Sequence, residues 1–158
     1  MSGQVPFDVA AFLSEPLRLA QVASVSPSGA PVLGSFWFLF AQNRFWFSSR
    51  RDTPVPIAVA HGSQVAVIID DFSPPDRIRQ VRVRGPGQFE RHDPERVERI
   101  YERYLGRDVS DWPDFFRDRL TDTTWALWTV QPLSGSAVTS PDFKPSEQRW
   151  QHPLDGPL

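Results

Sequence analysis

Cysteine is absent from the 158 residues, which removes disulfides, thiolate nucleophiles and every zinc or iron–sulfur centre built on sulfur. Redox chemistry, if the protein performs any, must come from a bound cofactor. Lysine is almost absent as well: of 17 basic residues only Lys144 is not arginine. With 19 acidic residues the formal net charge is −2, so the chain lacks the broad basic field that nucleic-acid binders carry. It also lacks any run near the ~20 apolar residues of a membrane span. The first twenty residues hold no basic segment followed by an apolar one, as a secretory leader would. The expectation is a soluble, cytoplasmic protein with neither nucleic acid nor membrane as partner.

Catalytic inventory is short. The three histidines, His61, His92 and His152, are far apart in sequence, and none belongs to a His-Glu-x-x-His motif. No nucleophile elbow or phosphate-cradling glycine loop is present. The sequence therefore assigns no metal site and no catalytic side chain. Asp70 and Asp71 are adjacent, so in a strand they point to opposite faces, and they read as a solvated loop entrance.

Aromatic side chains make up 13% of the chain, and they are concentrated in strand-like segments. Asp8–Leu13 reads as a short helix capped by Asp8 and ended by Glu15-Pro16. A strand over 19–25, a Ser26-Pro-Ser-Gly29 turn and a strand over 31–40 follow. In that second strand Phe36, Phe38 and Phe40 alternate with Trp37 and Leu39, so both faces are apolar. One face suits a barrel interior; the other needs a helix, a cofactor ring or a second subunit. Residues 44–48 form a third strand, 53–61 a helix with Pro54 and Pro56 in its first turn, and 65–69 a buried strand. A loop over 70–76 leads to a long strand over 78–89, with Gln80, Arg82 and Arg84 on one face and Val81 and Val83 on the other. Asp93-Pro94 through Gly106 carries a cap, a first-turn proline, an apolar stripe and a stop, which together specify a helix. A short helix around Trp112–Leu120 and a strand over 124–132 complete the pattern. Residues 1–140 thus read as one mainly β domain, an antiparallel barrel of about six strands with short flanking helices. Residues 141–158 read as a Pro-rich, loosely ordered tail that Trp150 pins. An exposed apolar face on so short a chain predicts a homodimer.

Ser48, Ser49, Arg50 and Arg51 gather hydroxyl and guanidinium donors at one strand end, which suits a phosphate through charge-assisted bonds; an ordinary charged turn has the same composition. A flat aromatic ligand with a phosphate tail, such as a flavin nucleotide, would use this end and the aromatic strands together.

The succession Pro31-Val-x-x-x-Phe-Trp-Phe, Arg44-Phe-Trp-Phe-Ser-Ser-Arg-Arg-Asp52, Val65-Ala-Val-Ile-Ile-Asp-Asp71, Arg79-Gln-Val-Arg-Val-Arg-Gly85 and Asp93-Pro-Glu-Arg-Val97 resembles the pyridoxamine 5'-phosphate oxidase-like family of flavin-binding split barrels. The resemblance spans about residues 10 to 140, and the Arg79–Gly85 stretch, which includes Arg82, is its most specific part. It implies a homodimer with FMN at the subunit interface, or the 8-hydroxy-5-deazaflavin coenzyme in its place. It would lay the backbone of Gly34, Ser35, Phe36 and Trp37 along the ring, set Phe47 and Ser48 at the phosphate end, and let Gln80 reach the cofactor. The partner subunit would then account for the doubly apolar strand. Where the family commonly holds the phosphate with a lysine or an Arg-Lys pair, this chain has Pro54, Val55 and Pro56, leaving Arg50 and Arg51 as substitutes. Arg149-Trp150 is too slight a match to the oxidases' C-terminal signature for pyridoxal phosphate. The implied activity is a flavin- or deazaflavin-dependent oxidoreductase acting on a small organic substrate. The alternatives are a non-catalytic flavin- or haem-binding protein and an interaction module without cofactor.

Overall fold

Tertiary structure comes from a computed structural model that describes residues 7–139 and, as backbone, 146–151. Helix α1 (Val9–Ser14) starts where the Asp8 carboxylate accepts the Ala11 N–H at 3.0 Å, and it buries Phe12 and Leu13. Strands β1 (Ala20–Val25) and β2 (Pro31–Phe36) form a hairpin whose turn needs Gly29 at φ 87°. Strand β3 (Leu39–Ala41) turns through Gln42 and Asn43, both at positive φ, into β4 (Arg44–Ser49), as a two-residue hairpin loop prefers. Then come α2 (Pro54–Ala60), β5 (Gln64–Ser73), β6 (Arg77–Glu90), α3 (Pro94–Leu105), a 3-10 turn (Val109–Asp111), α4 (Asp114–Arg119), β7 (Ala126–Val130), β8 (Ser134–Thr139) and β9 (Ser146–Gln151). Among the described residues no helix is long and apolar enough to cross a membrane.

All pairings are antiparallel, in the order β2-β1-β5-β6-β7-β4-β3, with β8 also on β6 and β9 on β8. Strand β6 serves two sheets. Its first part pairs with β5 and β8, and from Gly87 onward it pairs with β7. The barrel interior holds Phe12, Val22, Phe38, Phe40, Phe45, Phe47 and Trp128, with Val55 and Val59 of α2 closing one end. A second apolar cluster lies between the outer face of β3, β4 and β7 and the helices α3 and α4, around Val97, Ile100, Tyr101, Trp112 and Leu127.

The antiparallel, mainly β architecture is the expected one, with nine strands among the described residues rather than about six. The strand expected over 31–40 breaks at Trp37-Phe38, although its alternation survives: Phe36, Phe38 and Phe40 join the barrel core while Trp37 and Leu39 join the second cluster. The second apolar face is therefore covered by this chain's own helices, and no partner subunit is needed to explain it. The loop expected over 70–76 is mostly strand, because β5 runs to Ser73 and pairs residue by residue with β6. Asp71 points inward and is buried, while Asp70 is exposed. The expected tail contains β9, paired with β8 so that Trp150 stands opposite Gly135; residues 140–145 and 152–158 lie outside the described residues.

Helix α3 follows its sequence signals. Asp93 accepts the Arg96 N–H at 3.2 Å, Pro94 opens the helix, and Val97, Ile100 and Tyr101 are buried. Asp93→Ala removes the cap and is expected to lower stability by about 1 kcal/mol, read from the shift of the urea midpoint at unchanged slope.

Candidate functional site

The barrel is split beside β2, which ends its sheet and has a free edge among the described residues. The phase of that edge follows from the ladder. Ser26 N–H donates to Ala30 C=O at 2.8 Å, and the β1–β2 register pairs Ser24 with Val32, Val22 with Gly34 and Ala20 with Phe36. Hydrogen-bonded pairs alternate in an antiparallel ladder, so these residues turn their backbone groups toward β1. Leu33 and Ser35 turn theirs outward, and Trp37 follows in phase. The row of free N–H and C=O groups thus belongs to odd-numbered residues.

Beside this edge, Gly34 sits under the Phe36 ring and near Val55 of α2: a Cβ built on Gly34 would lie 2.8 Å from the Phe36 ring and 3.7 Å from Val55. Phe36 meets Phe47 and Trp128 edge-on, with centroids 5.9 and 5.2 Å apart. The end of β4 leads from there to Ser48, Ser49, Arg50 and Arg51. The two serines alternate. Ser48 faces α3, where its hydroxyl and that of Tyr101 lie 3.2 Å apart, and Ser49 is buried, accepting the Trp128 indole N–H at 2.9 Å. Burial raises the Tyr101 phenol pKa, and the bond with Ser48 counters part of that shift. Arg50 makes a two-pronged pair with Asp52 at 3.0 and 2.8 Å. The hydrogen bond from Arg50 holds the Asp52 carboxyl below its usual range. Arg51 is exposed and lies over the Phe89 ring at 5.1 Å.

The remaining expected residues lie elsewhere. Ser35, Gln80 and Arg82 all point from the outer face of the β2-β1-β5-β6 sheet. Register carries the row Ser35–Gln21–Ile68–Arg82 across it, three strand spacings or ~14 Å. Ser35 donates to Gln21 at 2.6 Å, and Arg82 donates to the Gln80 amide oxygen. Trp37 is stacked between Tyr104 and Phe116, with centroids 4.5 and 5.0 Å away, so only its backbone can meet a ligand. The same holds for Phe47, whose side chain is fully buried. The expected set is thus divided among the split (Gly34, Phe36, Arg50 and Arg51), the barrel interior (Phe47 and Ser49), the helix-covered side of β3 and β4 (Ser48 and Trp37) and the outer sheet face (Ser35, Gln80 and Arg82). The partners Tyr101, Trp128 and Asp52 were not singled out from sequence; only Asp52, two residues from Arg50, carried a local signal.

A flat ring with hydrogen-bonding edges fits the β2 edge, because strand amides and carbonyls are free there. The anionic end is sparer. Pro54 and Pro56 have no N–H, and the Ile57 N–H is bonded to Thr53 C=O at 3.0 Å, so the first turn of α2 offers only the Val55 amide. Contact with an anion falls to the Arg51 guanidinium, and to Arg50 once Asp52 releases it.

The sequence profile described as pyridoxamine 5'-phosphate oxidase matches residues 8–132, which takes in every element from α1 to β7. The chain belongs to the pyridoxamine 5'-phosphate oxidase family. Solved structures with the same fold include the conserved hypothetical protein Rv2991 from Mycobacterium tuberculosis, at 15% identity and TM-score 0.64 over 97% of this chain and 94% of that one. The heme storage protein HutZ from Vibrio cholerae shares 13% identity, TM-score 0.63, over 82% and 91%. An F420 reductase shares 23% identity, TM-score 0.58, over 81% and 95%. No curated protein matches the sequence. These likenesses, all below 25% identity, show a shared fold.

Proposed function

We propose that this member of the pyridoxamine 5'-phosphate oxidase family is a flavin- or deazaflavin-dependent oxidoreductase acting on a small organic substrate as a homodimer. The observation that carries the reading is the free β2 edge, whose Phe36 meets Phe47 of β4 just before Arg50 and Arg51. A bound flavin or deazaflavin supplies the hydride or electron transfer. The chain's part is to orient the ring: the outward amides and carbonyls of Leu33 and Ser35 would bond its polar edge, and Arg51 with Arg50 would hold its anionic tail. Gln80 and Arg82, ~14 Å across the outer sheet face from Ser35, would take part only as the partner subunit's counterparts in the homodimer. A partner subunit is supported by that face, where Leu33 is 71% and Val25 47% exposed. Ala23 and Ala66, paired in register, leave a shallow hollow of about 460 Å³.

Titrating the purified protein with FMN and with the deazaflavin coenzyme tests this. Saturable binding of one of them is expected, and the Arg50→Ala/Arg51→Ala double variant should weaken it at least about tenfold. If neither is taken up, the reading is wrong. The second reading, a non-catalytic haem binder, is favoured by one side chain. His61 Nδ1 lies 2.8 Å from Ile57 C=O and donates to it, so in the neutral tautomer the exposed Nε2 is the nitrogen with a free electron pair. Haem uptake that His61→Ala abolishes would establish it.

A further inference from the structure

Strands β1 and β2 separate at a defined point. Continuing their register past Ala20–Phe36 makes Arg18–Phe38 the next hydrogen-bonded pair. That rung is present with an oxygen inserted in it. The Tyr104 hydroxyl, from the last turn of α3, accepts the Phe38 N–H at 3.1 Å and donates to the Arg18 C=O at 2.6 Å. The neighbouring Arg103 completes the arrangement. Its guanidinium donates to Phe38 C=O at 2.6 Å, to Leu13 C=O at 3.1 Å and to Glu15 C=O at 2.9 Å, and it lies over the Phe38 ring at 4.6 Å. Both polar backbone groups of Phe38 are therefore satisfied by side chains of α3, as a residue leaving a ladder in a dry interior requires. The Tyr104 ring also stacks on Trp37, nearly parallel at 9°, and so fixes the residue that ends the free edge.

We propose that Tyr104 and Arg103 are positioning residues for the ligand-binding edge: the phenol acts as a surrogate rung that pries β2–β3 from β1, and the guanidinium locks the separated chain. The ring-binding part of this inference rests on the flavin or deazaflavin reading; the rung itself does not. An unmediated rung would draw Phe38 toward Arg18 and pull Trp37 and Ser35 with it, closing the split from which the outward amides emerge. Two side chains, 65 and 66 residues from Phe38 in sequence, thus determine where the donors of Leu33 and Ser35 stand.

The test uses Tyr104→Phe, which keeps the stacked ring and removes only the bridging oxygen, with Arg103→Lys as the second variant should the first fail to fold. Amide hydrogen exchange is followed at Phe38 and, as a control for global stability, at Val83 in the centre of β6. The expected result is exchange at least tenfold faster at Phe38 with Val83 unchanged. FMN or the deazaflavin coenzyme, whichever the wild type takes up, should bind at least tenfold more weakly, with a shifted absorption band of the bound ring because its edge donors have moved. Wild-type binding and an unchanged band in Tyr104→Phe overturn the positioning role, and unchanged exchange at Phe38 overturns the rung. If the wild type binds neither probe, the flavin reading fails and the positioning role fails with it, while the exchange result alone decides the rung.

Discussion

Gly85→Ala is expected to abolish folding or cost about 4 kcal/mol or more of stability, a loss seen only when a substitution meets something immovable. Gly85 lies in β6 where the strand passes from one sheet to the other. The chain leaving β7 crosses it closely: Gln131 N–H donates to Pro86 C=O at 3.1 Å and Leu133 N–H to Arg84 C=O at 2.9 Å. A Cβ on Gly85 would stand 1.7 Å from the Gln131 carbonyl oxygen and 2.8 Å from its carbon. Both are backbone atoms, so no rotamer change relieves the overlap, and either β6 or the 131–133 crossing must move. Gly29→Ala is the contrasting case. Nothing lies within 4 Å of a Cβ there, and the only penalty is the φ of 87°, about 1 kcal/mol. Urea denaturation of both variants gives the comparison. A Gly85→Ala protein within ~1 kcal/mol of wild type would show that the crossing is not tight.

Asp71→Ala should cost about 3 kcal/mol, as breaking a buried ion pair generally does. Its carboxylate is 6% exposed and receives Arg77 at 2.6 Å, Arg79 at 2.7 Å and Arg18 at 3.4 Å. Arg79 also reaches Glu15 with two bonds of 3.0 Å. Without Asp71, Arg18 and Arg79 share Glu15 alone, and Arg77 loses the carboxylate it pairs with. Burial pushes the Asp71 carboxyl up, but the hydrogen bond from Arg79 and the charges of Arg18, Arg77 and Arg79 outweigh it, and its pKa lies below the ordinary carboxylate range. The hydrogen bond from Arg79 lowers Glu15 too, against burial and with Arg18 assisting. A carboxyl depressed in the folded state stabilises it fully above the unfolded pKa of about 4, and that stabilisation is lost as pH falls through the depressed value. The gap between wild type and Asp71→Ala should therefore be full at pH 7 and narrow steadily below about pH 4. A gap that stays constant with pH would assign the loss to packing. Asp70→Ala, on the exposed face, should change stability by less than about 0.5 kcal/mol at any pH.

The elements legible in the sequence are those specified by neighbours along the chain. Asp93, Pro94 and Gly106 delimit α3 to within a residue, and Ser26 through Gly29 place the β1–β2 turn. The features that escaped depend on distant residues. The break after Phe36 leaves the alternation of Phe36, Phe38 and Phe40 intact, so no pattern reveals it; the bonds that take the place of the missing rung come from Tyr104 and Arg103, far along the chain. The Asp-Asp-x-Ser-Pro-Pro run has the composition of a loop, yet Asp71 is held in the strand by Arg77 and Arg79 across the β5–β6 hairpin and by the distant Arg18, a pairing visible only once the register is known. Strand β8 lacks a branched apolar run because it must lie close against β6: a Cβ on Gly135 would be 2.2 Å from the Arg82 carbonyl oxygen. The site divides in the same way. The Ser48–Arg51 cluster could be read as a unit, whereas the burial of Ser49 under Trp128 and the withdrawal of Trp37 into the α3–α4 cluster follow only from tertiary packing.

The free edge of β2 also has a bearing on solubility. A strand with unpaired amides and carbonyls is a template on which any extended chain can add itself, and proteins keep such edges short, kinked or covered. This one is six residues long, begins with Pro31 and carries the exposed Leu33, so its protection is partial. A ligand lying along it would act as a chemical chaperone, occupying the positions through which one molecule could zip onto the next. If the edge binds a flavin or deazaflavin as proposed, the unliganded chain is the form most exposed to self-assembly, because the groups that would hold the ring are the ones that would pair with a second strand.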